Sequence, residues 1–185
     1  MINIKSIIQT QIDLLVLSKN EAHIVKTIDI GAMFFNEKYF KQDIRVSEEH
    51  SIVFQELKSI KSPVLYWFTF DDAICSSKNI RNCYESFRIK PSERNSSSYK
   101  PRYDDGSVTL YVGKVKTGFY GRLITHLGYN TSVQTAGLQL YHWFDIIKFS
   151  NLTLNYIVFD KDMSNMVTVL EMEYAQALKP LIGKY

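Results

Sequence analysis

Seven consecutive residues from Val64 to Phe70, VLYWFTF, constrain the fold of this 185-residue chain more than any other stretch. The run is β-branched and aromatic, and Pro63 ends any helix before it, so it reads as a buried strand. VTLYVGKV, Val108 to Val115, reads as a second strand, and NLTLNYIVF, which alternates Leu152, Leu154, Tyr156 and Val158, as a third. The pattern predicts helices over about 119–127, with Thr117 as a cap, over about 132–144, and from Ser164 to about Leu178. In the second of these, Val133, Ala136, Leu140 and Phe144 form a stripe; Pro180 and Gly183 stop the third. The order is strand, strand, helix, helix, strand, helix. It predicts an α+β fold with a small, mostly antiparallel three-stranded sheet flanked by helices.

The first sixty residues read as mainly helical. IIQTQIDLLVLS belongs to an amphipathic helix with Ile4, Ile8, Ile12 and Leu15 on one face. Ser47 caps a second helix whose Ile52, Val53, Leu57 and Ile60 are expected to face inward. The expected organisation is therefore an N-terminal extension, residues 1–62, packed on a core domain, residues 63–185. An apolar content of 45% argues against disorder, and a net charge of +3 neither demands nor excludes a nucleic-acid partner. No stretch is apolar enough to span a bilayer, and Gln9, Gln11 and Asp13 interrupt the N-terminal run, which also lacks a small-residue cleavage site. The expected compartment is the cytoplasm, with no membrane partner. Cys75 and Cys83 lack a zinc spacing and read as reduced thiols.

Between the first two strands lies an insertion, about 71–107, which the cluster SERNSSSYKPRYDDG marks as a long loop. From Lys78 to Arg102 it carries Lys78, Arg81, Arg88, Lys90, Arg94, Lys100 and Arg102 against Glu85 and Glu93, a local charge of +5. Tyr84, Phe87, Tyr99 and Tyr103 are interleaved. Arginine pairs with phosphate and aromatics stack on bases, so Arg81, Arg88, Lys90, Arg94, Lys100 and Arg102 are candidate DNA contacts. The competing reading is a solvated surface loop.

Four short motifs occur in a telling order: VLY in the first strand, YVG in the second, GRLITHL in the following helix, and LEMEYAQALKPLIG at the end. Together they resemble the GIY-YIG nuclease family, over roughly Pro63 to Gly183. Tyr66 matches the last residue of the first signature, and Tyr111 and Gly113 bracket the second. Arg122 matches the family's helix arginine. His126 matches a histidine of the restriction-enzyme branch. Glu171, nine residues before Pro180, matches the family's glutamate, whereas periodicity alone does not choose between Glu171 and Glu173. Val64 replaces a signature glycine, and Gly183 stands where many members have asparagine.

The resemblance implies a tyrosine as base, Tyr66, with Tyr111 orienting water or phosphate. The chemistry of phosphodiester hydrolysis points to the same residue types. A carboxylate such as Glu171 holds Mg²⁺ or Mn²⁺, which relieves charge on the phosphate. The Arg122 guanidinium pairs with phosphate oxygens, and His126, four residues on, shares its helix face. A tyrosine titrates near 10, so nearby cations such as Lys114 and Arg122 must assist it. The expected activity is metal-dependent cleavage of double-stranded DNA in the manner of a restriction enzyme. It needs no organic cofactor, and a homodimer would cut both strands. The alternative is a DNA-binding or protein-interaction module that keeps the fold without turnover.

Overall fold

The structure, a computed structural model, describes residues 3–71, 73–89, 95–98, 102–129, 134–149 and 151–184. It is α+β, but the sheet has four strands in the order β1-β4-β2-β3, not three. These are β1 (Lys26–Ile30), β2 (Val64–Phe70), β3 (Thr109–Val115) and β4 (Leu152–Val158), and all three pairings are antiparallel. The α-helices are, in chain order, α1 (Ile4–Asn20), α2 (Lys38–Lys41), α3 (Ser51–Ser59), α4 (Ser77–Ile89), α5 (Phe119–Leu127), α6 (Ile146–Phe149) and α7 (Val167–Leu178). β1 was hidden in a segment read as helical. KTIDI is short and carries Lys26 and Asp29, and it is held as a strand by pairing with β4. The N-terminal region is therefore not only an extension on the core; it supplies one edge of the sheet.

β2 lies between β3 and β4 and is covered on both faces, which explains its unbroken apolar run. Val64, Tyr66, Phe68 and Phe70 point into the larger core. There they meet Phe54 and Leu57 of α3 (Ser51–Ser59) and Phe119, Leu123 and Leu127 of α5 (Phe119–Leu127). Leu65 and Trp67 point the other way, onto Val167 and Ala175 of α7 (Val167–Leu178). α7 begins three residues later than predicted, after a 3-10 turn over Lys161–Ser164.

Several local expectations are corrected. The insertion is not a continuous loop: Ser77–Ile89 forms helix α4, which buries Ile80, Arg81 and Tyr84. No α-helix forms over the described residues 134–144. Ser96 bridges Gly137 instead, and only Leu140–His142 forms a 3-10 turn. Gly118, not Thr117, occupies the cap of α5. Ser47 caps no helix through its side chain; its hydroxyl lies 3.1 Å from the Tyr39 hydroxyl. In α3, Phe54 and Leu57 turn inward while Ile52 is 81% exposed. α1 (Ile4–Asn20) forms as predicted, but it meets the body through Gln11, Leu14 and Ser18, leaving Ile4, Ile8, Ile12 and Leu15 exposed. Among the described residues no helix is long and apolar enough to cross a membrane, and both cysteines are free thiols.

β3 is the second edge of the sheet, and the end of the described chain runs along it. Leu181 N–H donates to the Thr109 carbonyl at 2.9 Å, and Ile182 N–H to the Leu110 carbonyl at 3.0 Å. This short pairing covers the first half of the edge and stops at Tyr111. The edge beyond it, around Gly113 and Lys114, is where the side chains of chemical interest gather.

Candidate active site at the β3 edge

The register of β2 on β3 sets Tyr66 opposite Gly113. A side chain at position 113 would have its Cβ 2.6 Å from the Tyr66 oxygen and 2.6 Å from Tyr111 Cε1. Glycine is therefore required here by close approach: the two tyrosines occupy the space a side chain would fill. Their rings lie 6.2 Å apart between centroids.

Arg122, on the first turns of α5, ties the two phenols together. Its Nε donates to the Tyr66 oxygen at 3.0 Å, Nη2 to the Tyr111 oxygen at 3.3 Å, and Nη1 to the Ala136 carbonyl at 2.7 Å. Guanidinium has five N–H donors, so two remain for an anion. One turn further along α5, His126 is fully buried and faces inward. Its Nδ1 accepts from the Leu138 backbone N–H at 3.1 Å, which assigns the proton to Nε2, 2.9 Å from the Tyr66 oxygen. The expectation that His126 and Arg122 face one phosphate is thus corrected for His126: it braces Tyr66 from below. Burial, with the charge of Arg122 adding, holds its imidazole well below the usual range and so neutral.

Tyr66 is only 1% exposed, and its oxygen lies one hydrogen bond beneath the surface that Arg122 covers. Burial pushes its hydroxyl up strongly and Tyr111 adds to this, while Arg122 opposes. Two donors, one of them cationic, converge on the Tyr66 oxygen, an arrangement that favours the phenolate against burial. Tyr111 is the phenol that reaches the surface.

Tyr111, Lys114, Arg122 and Glu171 line a single cleft of about 480 Å³, together with Ser97, Ser98, Thr168, Gly183 and Lys184. Lys114 projects from β3 on the α7 side, and its Nζ donates to the Thr168 hydroxyl at 2.8 Å. Glu171 lies one turn after Thr168 on the same helix and is half-buried. Burial raises its carboxyl above the usual range, against the pull of Lys114, Arg122 and Lys184. Among the described residues its carboxylate makes no ion pair. Glu173 is exposed and lies outside the cleft, which separates the two carboxylates that periodicity left equivalent.

Three cations around one carboxylate give the cleft a positive field. A larger depression of about 640 Å³ beside Arg102, Asp104 and Lys179 is a different kind of surface. There Lys179 is already paired with Asp104 at 2.9 Å, and Tyr103 and Asp105 line it with no histidine or second lysine among the described residues.

The candidate DNA contacts of the insertion fare unequally. Arg81 is 1% exposed and donates to the Leu181 carbonyl, with Glu85 at 3.3 Å, so it fastens the C-terminal segment to α4 and cannot touch DNA. Arg88 and Arg102 are exposed. Lys90, Arg94 and Lys100 lie outside the described residues.

Sequence reasoning missed Lys184, Thr168 and the Ser97–Ser98 wall of the cleft. Thr168 was findable, three residues before Glu171 on one helix face. Lys184 carried no signal beyond following Gly183. The departure at Gly183 has a local reason: its φ is +138°, a conformation that side chains rarely adopt, and its N–H donates to the Ser98 carbonyl at 3.0 Å. No protein-family model matches the chain, and no curated protein or solved structure matches it either.

Proposed function

We propose that the β3-edge cleft binds a phosphodiester and that the protein is a metal-dependent DNA endonuclease of GIY-YIG type. The observation that supports this most is the convergence of Tyr111, Arg122, Lys114 and Glu171 on one cleft, with Tyr66 directly beneath Arg122. These residues come from β3, α5 and α7, and the sequence order alone does not bring them together.

The donor set fits a magnesium-type ion. Such an ion takes one or two carboxylates and completes its shell with water and phosphate oxygens, and Glu171 offers a half-buried carboxylate that makes no ion pair among the described residues. A zinc-type site would need four nitrogen or sulfur ligands, and among the described residues no cluster of three histidine, cysteine or acidic side chains exists. Bound at Glu171, Mg²⁺ or Mn²⁺ would supply charge relief on the phosphate and the leaving oxygen.

The chain's own residues supply the rest. Arg122 presents its two remaining N–H groups to the phosphate, and Lys184 and Lys114 add positive charge at the rim. Tyr111 orients the attacking water at the surface. Tyr66 serves as base in its phenolate form, its own proton having first been lost to solvent. As Arg122 turns outward onto the phosphate, it uncovers the phenolate oxygen, which takes a proton from the attacking water and becomes phenol. His126 Nε2–H keeps Tyr66 aimed and stabilises its phenolate until the proton from water arrives. Phosphate binding and base exposure are in this way one motion. Arg88 and Arg102, exposed outside the cleft, remain candidate DNA contacts.

The depth of Tyr66 favours one alternative, a nucleic-acid-binding module without turnover. Purified protein incubated with supercoiled plasmid and Mg²⁺ distinguishes them. The nuclease reading predicts nicked and linear products from wild type, loss of at least ~100-fold in rate for Arg122→Ala and Glu171→Ala, and no products in EDTA. Salt-sensitive retention of the plasmid on the protein with no metal-dependent product overturns it in favour of the binding module.

A further inference from the structure

Helix α1 has 17 residues, and its apolar side is far wider than the strip that packs. Gln11, Leu14 and Ser18 face the body, with the Ser18 hydroxyl 3.2 Å from His23 Nε2. Beside that strip runs a second stripe, Ile4, Ile8, Ile12 and Leu15, exposed by 63%, 52%, 46% and 37%. Ile7 and Val16 flank it and are about half exposed. These side chains expose on the order of 500 Å² of aliphatic surface, at the top of the range for a monomer's patches and most of the ~800 Å² each partner buries in a standard interface. An isolated helix of this length is also marginal in water, so the exposed half, from Ile4 to Thr10, is the part that a partner would steady.

We infer that α1 pairs with α1 of a second copy of this chain, antiparallel, with Ile4, Ile8, Ile12 and Leu15 as the shared seam. The stripe is self-complementary: reversed about Thr10, Ile8 falls opposite Ile12 and Ile4 within one residue of Leu15. Antiparallel pairing also sets the positive N-terminal end of each helix beside the negative C-terminal end of the other. At each end of the seam Leu15 borders an apolar groove of about 310 Å³ lined by Leu65, Ile157, Phe159, Leu170 and Tyr174. Ile4 and Ile7 of the second copy extend into it. The interface is thus isologous, as a two-fold requires. A lipid surface is a poorer occupant, because the charged residues of α1 are only Lys5, Asp13 and Lys19, without the basic polar face of an interfacial helix. The inference stands on the surface of α1 and holds whether or not the cleft cuts DNA.

Sedimentation velocity on the full chain at tens of micromolar tests it. Wild type sediments as a dimer. Ile8→Glu, which sets two carboxylates at the middle of the seam, weakens the dimer by ~100-fold or more and gives monomers with the same melting behaviour at high dilution. Leu17→Glu, exposed at 62% but on the far side of the helix, leaves the dimer intact. In a Cys83→Ser background, Ile4→Cys with Leu15→Cys oxidises to a covalent dimer, and Ile4→Cys alone does not. A monomeric wild type, equal losses for Ile8→Glu and Leu17→Glu, or cross-linking through Ile4→Cys alone each overturns the proposal.

Discussion

Gly113→Ala is a small perturbation with a large expected consequence. The added Cβ would lie 2.6 Å from the Tyr66 oxygen, 2.7 Å from Tyr66 Cζ and 2.6 Å from Tyr111 Cε1. Tyr66 has nowhere easy to go: it is 1% exposed and held by His126 at 2.9 Å and Arg122 at 3.0 Å. Its retreat breaks a hydrogen bond to a charged group, worth ~1.5–3 kcal/mol, or forces repacking at ~1–3 kcal/mol. The lower backbone entropy of alanine in a strand returns ~0.5–1 kcal/mol. The net loss is about 2 kcal/mol, a fall of ~4–8 °C in melting temperature for a chain of this size. Differential scanning calorimetry reads this directly. In a Tyr66→Phe background, where the obstructing oxygen is gone, the same substitution should cost about half as much, because the two sites are coupled. A Gly113→Ala protein melting within about 1 °C of wild type, or an unchanged cost in the Tyr66→Phe background, would refute the packing argument.

Other outcomes follow from the same geometry. Because His126 is held neutral, the unfolded chain takes up a proton near pH 6.5 that the folded one refuses. Stability is therefore full above that pH and falls as pH drops below it, and urea midpoints at pH 7.5 and 5.0 should converge in His126→Gln. Glu171 has the opposite sign: its raised carboxyl is easiest to bury below the ordinary value of 4.5, and the benefit is lost as pH rises. Glu171→Gln should then melt slightly higher than wild type at neutral pH, while losing the upward shift that Mg²⁺ gives the wild-type protein. Arg81→Met should destabilise the protein by ~2 kcal/mol or more in denaturant titrations, by freeing the buried Leu181 carbonyl, whereas Arg88→Ala should stay within ~0.5 kcal/mol. Gly183→Asn should lower the melting temperature rather than raise cleavage, because φ +138° suits glycine.

Elements whose residues declare one period were legible. β2, β3 and β4 came out within a residue or so of their observed ends, as did α5, because each carries an uninterrupted apolar pattern of its own. β1 was not, since KTIDI is a strand only through its pairing with β4. The helix expected over 132–144 failed for the converse reason. Leu138, Leu140 and Phe144 are buried, but hydrogen bonds from Ser97 and to His126 hold the backbone extended. α4 was obscured by its charges, and Arg81 most of all: a buried arginine reads in sequence like a solvated one. At the site, residue types pointed to Tyr111, Arg122, Lys114 and Glu171 as a set. Which side chains reach the cleft was not readable, because His126 and Arg122 share a helix face yet Arg122 bends to the surface and His126 to the core.

The most direct test compares Glu171→Ala with Glu173→Ala in Mg²⁺-dependent cleavage of supercoiled plasmid. Both substitutions remove one carboxylate from the same helix, two residues apart, and only Glu171 lines the cleft. The cleft account predicts that Glu173→Ala cuts within about twofold of wild type and that Glu171→Ala is slower by ~100-fold or more. Equal rates for the two variants, in either direction, would contradict it.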